Sequence, residues 1–166
     1  MTISLISAMS ENHIIGNKGL LPWGHLPNDL ANLYRITEGV PMIMGRKSYD
    51  TPDRVGSKTA PNIVVTRQDD LVLDAGFEKA ESIEQALQLV ENQSFTEVFI
   101  IGGGEIFKQS IHLADCIYLT LVHATFEGDA YFPNIDPSVF QLIEKKDFQK
   151  DAQHEYDYSF LIYRKI

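Results

Sequence analysis

The stretch Val98-Phe99-Ile100-Ile101-Gly102-Gly103-Gly104-Glu105 decides the fold. Four bulky apolar residues in a row, three of them β-branched, read as a buried strand. The glycines end it, and a helix opens at about residue 105. On either side the same alternation recurs. Residues 3–9, 42–44 and 62–66 read as short apolar strands, with another near Phe77. Residues 28–38 read as a helix. Ser82-Ile83-Glu84-Gln85 has the form of a capping box, opening a helix through about residue 91. Strands joined by helices form a mostly parallel sheet covered on both faces. The last third differs: a strand over 116–122 precedes two segments, near 139–148 and 156–164, that form an antiparallel pair. The expected fold class is α/β, a single mixed, mostly parallel twisted sheet with helices on both faces and a C-terminal antiparallel hairpin.

Leu21-Pro22-Trp23-Gly24-His25-Leu26-Pro27-Asn28-Asp29 sits where the long 10–26 loop gives way to the first helix. Proline suits a first helical turn, where its missing N–H costs nothing. Leu30, Leu33 and Tyr34 recur at helical spacing and are expected to face inward. Asp29, in the first turn, is either a surface partner of the helix dipole or a carboxylate pointed into a pocket.

The totals narrow the function. At 166 residues, the chain fits one domain with a sizeable core. A net charge of −9 weighs against nucleic acid as a partner, because phosphates need a basic surface. The five histidines show no metal-ligand spacing with one another or with the single cysteine, so no metal is expected. Cys116 falls in an apolar strand and is expected in the core. There is neither a membrane-length apolar run nor a signal-peptide pattern, so the expected location is the cytoplasm.

In sheets of this kind, ligands bind beyond the carboxyl ends of the strands. Three such ends stand out: Gly45-Arg46-Lys47-Ser48, Thr66-Arg67 and Gly102-Gly103-Gly104. Each alone makes an ordinary turn. Together, with two of them cationic in an acidic protein, they point to a phosphorylated cofactor. Helix-start N–H groups bind phosphate, and glycine lets backbone approach closely.

Nearly end to end, the chain resembles dihydrofolate reductases of the bacterial chromosomal type. The resemblance rests on Ile14-Ile15-Gly16, Leu21-Pro22-Trp23, Leu26-Pro27 with Asp29, Ile43-Met44-Gly45-Arg46, Ile101-Gly102-Gly103-Gly104, Tyr118-Leu119-Thr120, and Glu127-Gly128-Asp129 with Phe132-Pro133, all in the family's order. It implies NADPH-dependent hydride transfer to C6 of 7,8-dihydrofolate with protonation at N5. In that scheme Asp29 holds the pteridine, Thr120 shares its hydrogen bonds, Trp23 buttresses the site and Leu21 covers the nicotinamide. Ile6, Ser7, Leu30, Leu33, Arg54, Ile101 and Phe107 are the implied substrate contacts. Ala8, Ile15, Gly16, Gly19, Gly45, Arg46, Lys47, Ser48, Thr66, Arg67, Gly102, Gly103, Gly104, Glu105 and Ile106 are the implied cofactor contacts. The 10–26 loop becomes a lid docking on Gly128-Asp129, and Gly102-Gly103 matches a cis peptide. The implied architecture is one domain, 1–166, with an adenosine-binding part at roughly 40–93 inserted within it. The implied state is a monomer binding a small molecule, with no membrane partner.

Three departures mark this chain. Gly24 adds a residue to the lid hinge. Leu33 replaces the family's usual phenylalanine. Ala60 stands where the family has an arginine for the substrate's glutamate tail, leaving Arg54 and Lys58 as nearby cations. A reductase of a tail-less dihydropterin, a pyrimidine reductase of riboflavin synthesis and a non-catalytic cofactor-binding protein are the alternatives.

Overall fold

The computed structural model describes residues 1–166. In chain order its elements are β1 (Thr2–Ser10), β2 (Ile14–Gly16), α1 (Pro27–Ile36), β3 (Met42–Gly45), α2 (Arg46–Tyr49), β4 (Asn62–Val65), β5 (Phe77–Ala80), α3 (Ile83–Asn92), β6 (Glu97–Ile100), α4 (Gly104–Ser110), a 3-10 turn at Ile111–Leu113, β7 (Cys116–Val122), β8 (Ala130–Tyr131), β9 (Phe140–Phe148) and β10 (Tyr158–Lys165). Eight strands form one sheet in the order β5-β4-β3-β6-β1-β7-β10-β9. Neighbours from β5 through β7 pair in parallel, and β10 is antiparallel to both β7 and β9. The expected mixed sheet with its C-terminal hairpin is therefore observed.

The register is fixed by a row of aliphatic side chains across five strands. Ile63 pairs Ile43, Ile43 pairs Ile100, Ile100 pairs Leu5, and Leu5 pairs Ile117. All five are 0% exposed. Full burial of each stabilises the fold by roughly 1.5–3 kcal/mol, and a one-residue slip would turn the whole set to the other face. On this side α3 and α4 close the core with Ile83, Ala86, Val90 and Phe107. Residues one position along each strand face the other way, where Met42, Met44 and Val64 pack on Tyr49 of α2.

Five boundaries and contacts differ from expectation. α1 starts at Pro27 and stops at Ile36, because Thr37 caps it through its own N–H and hydroxyl on the Leu33 carbonyl, at 3.0 and 2.8 Å. Its apolar residues are not packed inward: Leu30 is 40% exposed and Tyr34 39%, and no residue of the helix is buried. A helix that walls a cleft keeps its apolar stripe for the cleft, which periodicity alone cannot distinguish from a core face. The 10–26 loop also contains a strand, β2, paired with β8 in a small second sheet. Cys116, expected in the core, is only half-buried at the start of β7. The capping box forms with one change: Ser82 accepts the Gln85 N–H at 3.0 Å, but the Gln85 side chain reaches back to the Glu81 N–H at 2.6 Å.

Candidate active site

β1 and β7 place Ile6, Ala8, Tyr118 and Thr120 on the face opposite the isoleucine row, beneath α1. Thr120 is 3% exposed, and its hydroxyl donates to Asp29 Oδ1 at 2.5 Å. It ties α1's first turn to β7 in the sheet floor. Burial pushes the Asp29 carboxyl above the ordinary carboxylate range, and the Thr120 hydroxyl pulls it part of the way back. Asp29 is thus the pocket carboxylate rather than a surface dipole partner. Asp29, Thr120, Ile6 and Leu33 line a cavity of about 50 Å³ between α1, β7 and the C-terminal hairpin, with Asn32, Tyr118 and Phe160. It opens among Arg35, Glu144 and Lys146. Ser7 alternates to the other face, and its hydroxyl donates to the Ala8 carbonyl at 3.0 Å. Leu30 and Ile101 lie outside this cavity; Ile101 packs with the Met42–Met44 cluster.

The cofactor candidates gather at the carboxyl ends of β3, β4 and β6. The peptide between Gly102 and Gly103 is cis. Gly102 accepts the Gly45 N–H at 2.7 Å, tying the end of β3 to the glycine turn. A side chain at Gly45 would meet Ile106 Cγ1 at 2.8 Å, and one at Gly102 would meet Phe107 Cε2 at 2.8 Å. A Cβ at Gly104 would fall 2.9 Å from the Tyr131 carbonyl oxygen. Only backbone fits here. α2 and α4 begin at Gly45 and Gly103 with no side chain satisfying their first N–H groups, and a Cβ on Gly103 would lie 3.7 Å from Ser48 Oγ. Donors from two helix starts therefore converge on one edge. Arg46, Lys47 and Arg67 are exposed around it, with Thr66 half-buried and Glu105 exposed. Arg46 pairs with Asp50 at 3.2 Å, whereas Lys47 and Arg67 make no ion pair. Bare amides flanked by free cations suit a dinucleotide carrying an extra phosphate.

The 10–26 loop is tethered at its base. Asp129 donates its N–H to the Gly16 carbonyl at 3.1 Å, and its carboxylate accepts the Lys18 N–H at 3.1 Å. A Cβ at Gly128 would clash with Ile14 Cγ2 and the Gly16 carbonyl, so this docking requires glycine. Ile15 packs against the main core, and Gly16 lies against Ala130. Gly19 is exposed at φ +80°, and Leu21 is 55% exposed. The added Gly24 takes φ +74° and donates its N–H to the Leu21 carbonyl at 3.1 Å, absorbing the extra residue in a turn. Trp23 is 3% exposed, and its indole N–H has no protein acceptor.

The family model for dihydrofolate reductase matches residues 2–165. The chain belongs to the dihydrofolate reductase family. It is 41% identical to the dihydrofolate reductase of Haemophilus influenzae over 163 residues, covering 98% of each chain. It is 39% identical to that of Bacillus subtilis, covering 98% of this chain and 94% of the relative. Among solved structures it is similar to the dihydrofolate reductase of Enterococcus faecalis complexed with NADP(H) and RAB-propyl, with a TM-score of 0.87 and 31% identity. That similarity covers 99% of this chain and 96% of the other.

Besides Ser7, two more expected substrate residues are placed elsewhere. Arg54 is spent inside the β3–β5 half: it pairs with Asp74 at 2.6 Å and stacks over Tyr49 and Phe77, 4.3 and 4.6 Å from their ring centroids. A guanidinium held by a carboxylate and two rings is not free to grip a substrate. Phe107 is 1% exposed, on the α3–α4 side, packed on Phe132 at 4.9 Å between centroids. It supports the glycine turn from behind rather than facing a ligand. Ala60 is buried, and Lys58, exposed, lies 6.0 Å from the Tyr34 ring on α1. Sequence reasoning missed Asn32, whose only signal was a polar residue between Leu30 and Leu33. A second ordered set, Glu11–His123–Ser159, has the outline of a nucleophile relay, with contacts of 3.0 and 2.7 Å. Ser159 is 0% exposed and gives its proton to Asp147, so the set is structural.

Proposed function

We propose that this chain reduces 7,8-dihydrofolate to 5,6,7,8-tetrahydrofolate with NADPH. The observation that carries this is the Asp29–Thr120 pair: a carboxylate raised by burial, held by one hydroxyl, with Oδ2 free of any protein donor. A pteridine edge offers two adjacent N–H donors, which match two carboxylate oxygens in charge and geometry. Bound at the Gly45, Gly102–Gly104 and Arg67 edge, NADPH supplies the hydride. Lys47, Arg67, Thr66 and Ser48 hold its phosphates, with Arg46 and the α2 and α4 amides. Gly19, Ile15 and Gly16 on the lid, with Leu21, exclude water over the reacting ring. Trp23 gives its indole N–H to an ordered water that brings the proton in reach of N5. Asp29 sets the ring's tautomer and the local field; it does not itself touch N5. Ile6 and Leu33, which share the cavity with Asp29, wall the ring, and Leu30 and Ile101 meet the substrate beyond that cavity.

The same reading makes 1–166 one domain with an adenosine-binding part over about 40–93. It makes the protein a cytoplasmic monomer without nucleic-acid partners. No helix is long and apolar enough to cross a membrane. A second reading, reduction of a dihydropterin without a glutamate tail, is favoured by the alanine at 60 and by Arg54's commitment to Asp74. NADPH oxidation with 7,8-dihydrofolate, run beside a tail-less dihydropterin, separates the two. A strong preference for dihydrofolate supports the first reading and calls for another cation at the tail. Equal or better turnover of the tail-less compound supports the second, and no turnover of either refutes both.

A further inference from the structure

We infer that His154 is a positioning residue for Asp29: in its neutral form it caps, from outside the helix, the start of α1. The helix has no cap of its own. Leu26 at the cap position offers no side-chain acceptor, and Pro27 has no N–H. The next donor, the Asn28 N–H, reaches His154 Nε2 at 3.2 Å, from a residue 126 positions further along the chain. His154 is 1% exposed, so its ring is held in place by packing. Its Nδ1 lies 2.9 Å from Asp151 Oδ1, and its ring stacks on Tyr158 with centroids 5.0 Å apart. The Asn28 side-chain amide donates to the Tyr158 hydroxyl at 2.7 Å. Backbone and side chain of the residue before Asp29 are thus both held by the β9–β10 connection and its strand.

Hydrogen-bond direction fixes the imidazole's state. A backbone N–H can only donate, so Nε2 accepts and the single ring proton sits on Nδ1, toward Asp151. That hydrogen bond is the main reason the Asp151 carboxyl lies below its usual range. Protonating Nε2 would set donor against donor beside the positive end of a helix. The titratable groups in contact with the ring are Asp151 and Tyr158. From α1 it meets Asn28, with Asp29 next in the chain; Glu155, beside it in sequence, is exposed.

The inference rests on Asp29 as the pocket carboxylate, and its test separates the two. His154→Gln keeps an acceptor near the Nε2 position without titrating; His154→Phe keeps the stack but no acceptor. At pH 8 the Gln variant holds kcat/KM for dihydrofolate within about twofold, and the Phe variant loses about fivefold, the equivalent of one helix cap. NADPH binding is unchanged in both. Recovery of kcat/KM in Gln but not in Phe separates the lost acceptor from lost packing. Equal kcat/KM in the Gln and Phe variants overturns the inference. Amide hydrogen exchange at Asn28 reads the cap without any substrate: faster in Phe than in wild type, and slow in Gln. Equal exchange in wild type and Phe overturns the cap, whatever the enzyme turns over. If the Phe variant does not fold, His154→Leu, which also lacks the acceptor, is compared with Gln by exchange at Asn28, and equal protection overturns the cap.

Discussion

Thr120→Val removes one hydroxyl and almost no volume, and so isolates what that hydroxyl does for Asp29. Thr120 is buried, and its 2.5 Å bond is the only hydrogen bond that the protein gives the carboxylate. A hydrogen bond to a charged group is worth about 1.5–3 kcal/mol. At about 1.4 kcal/mol per factor of ten, its loss should raise the proton affinity of the carboxylate by roughly 10- to 100-fold. The sign follows from which form is stabilised: the donor favours the charged form, so removing it leaves desolvation unopposed. The assay is kcat against pH with saturating NADPH and dihydrofolate. The limb on which activity falls with rising pH should move upward, and KM near neutral pH should rise because a protonated carboxyl offers one acceptor fewer. Superimposable profiles for wild type and Thr120→Val would refute the reasoning, since the hydroxyl would then have no hold on the protonation of Asp29.

Asp29→Asn should depress turnover near neutral pH, with partial recovery in acid where the substrate arrives protonated. It should also stabilise the fold: a carboxyl raised in the native state contributes stability below its unfolded value near 3.9 and loses it as pH rises through the folded value. Denaturant midpoints of variant and wild type should therefore converge near pH 3 and separate by pH 7. Arg67→Ala should weaken NADPH binding by about 10- to 100-fold and NADH binding by less than about twofold; a parallel loss for both would remove Arg67 from the 2′-phosphate. Asn32→Leu should fill the cavity of about 50 Å³ behind α1. That should add roughly 1 kcal/mol to urea stability, and a lower midpoint would show that the space is needed for hydration.

Strands were the most legible part of the sequence. Cys116–Val122 is marked at both ends, because a run of strand-forming residues between Asp115 and His123, apolar but for Thr120, leaves no other register. β2 and β8 are not, since three- and two-residue strands are too short for alternation to register. The amphipathic pattern of α1 marks a stripe but does not tell a core face from the wall of a cleft. The glycine turns and the cationic strand ends could be located because the fold class says where ligands bind. Arg54 and Phe107 could not be placed, because their partners Asp74, Tyr49 and Phe132 are brought to them only by tertiary packing. His154 left no local trace at all: its role depends on a contact that no spacing rule reaches.

The aliphatic row through the sheet also acts as a datum for the site. Three residues beyond Ile63, Ile43, Ile100, Leu5 and Ile117 stand Thr66, Arg46, Gly103, Ala8 and Thr120, one on each of five neighbouring strands or its exit. At about 3.3 Å per residue, Ala8 and Thr120, still within β1 and β7, lie about 10 Å past that buried line, while Thr66, Arg46 and Gly103 stand just beyond the ends of their strands. The catalytic edge is therefore laid out by counting rather than by local shape. Outside Gly45 and Gly102, where only backbone fits, substitutions along those three-residue spans should change what the edge binds while leaving its outline intact. A single inserted residue in any one span would carry that strand's contribution about 3 Å out of line and turn it to the opposite face.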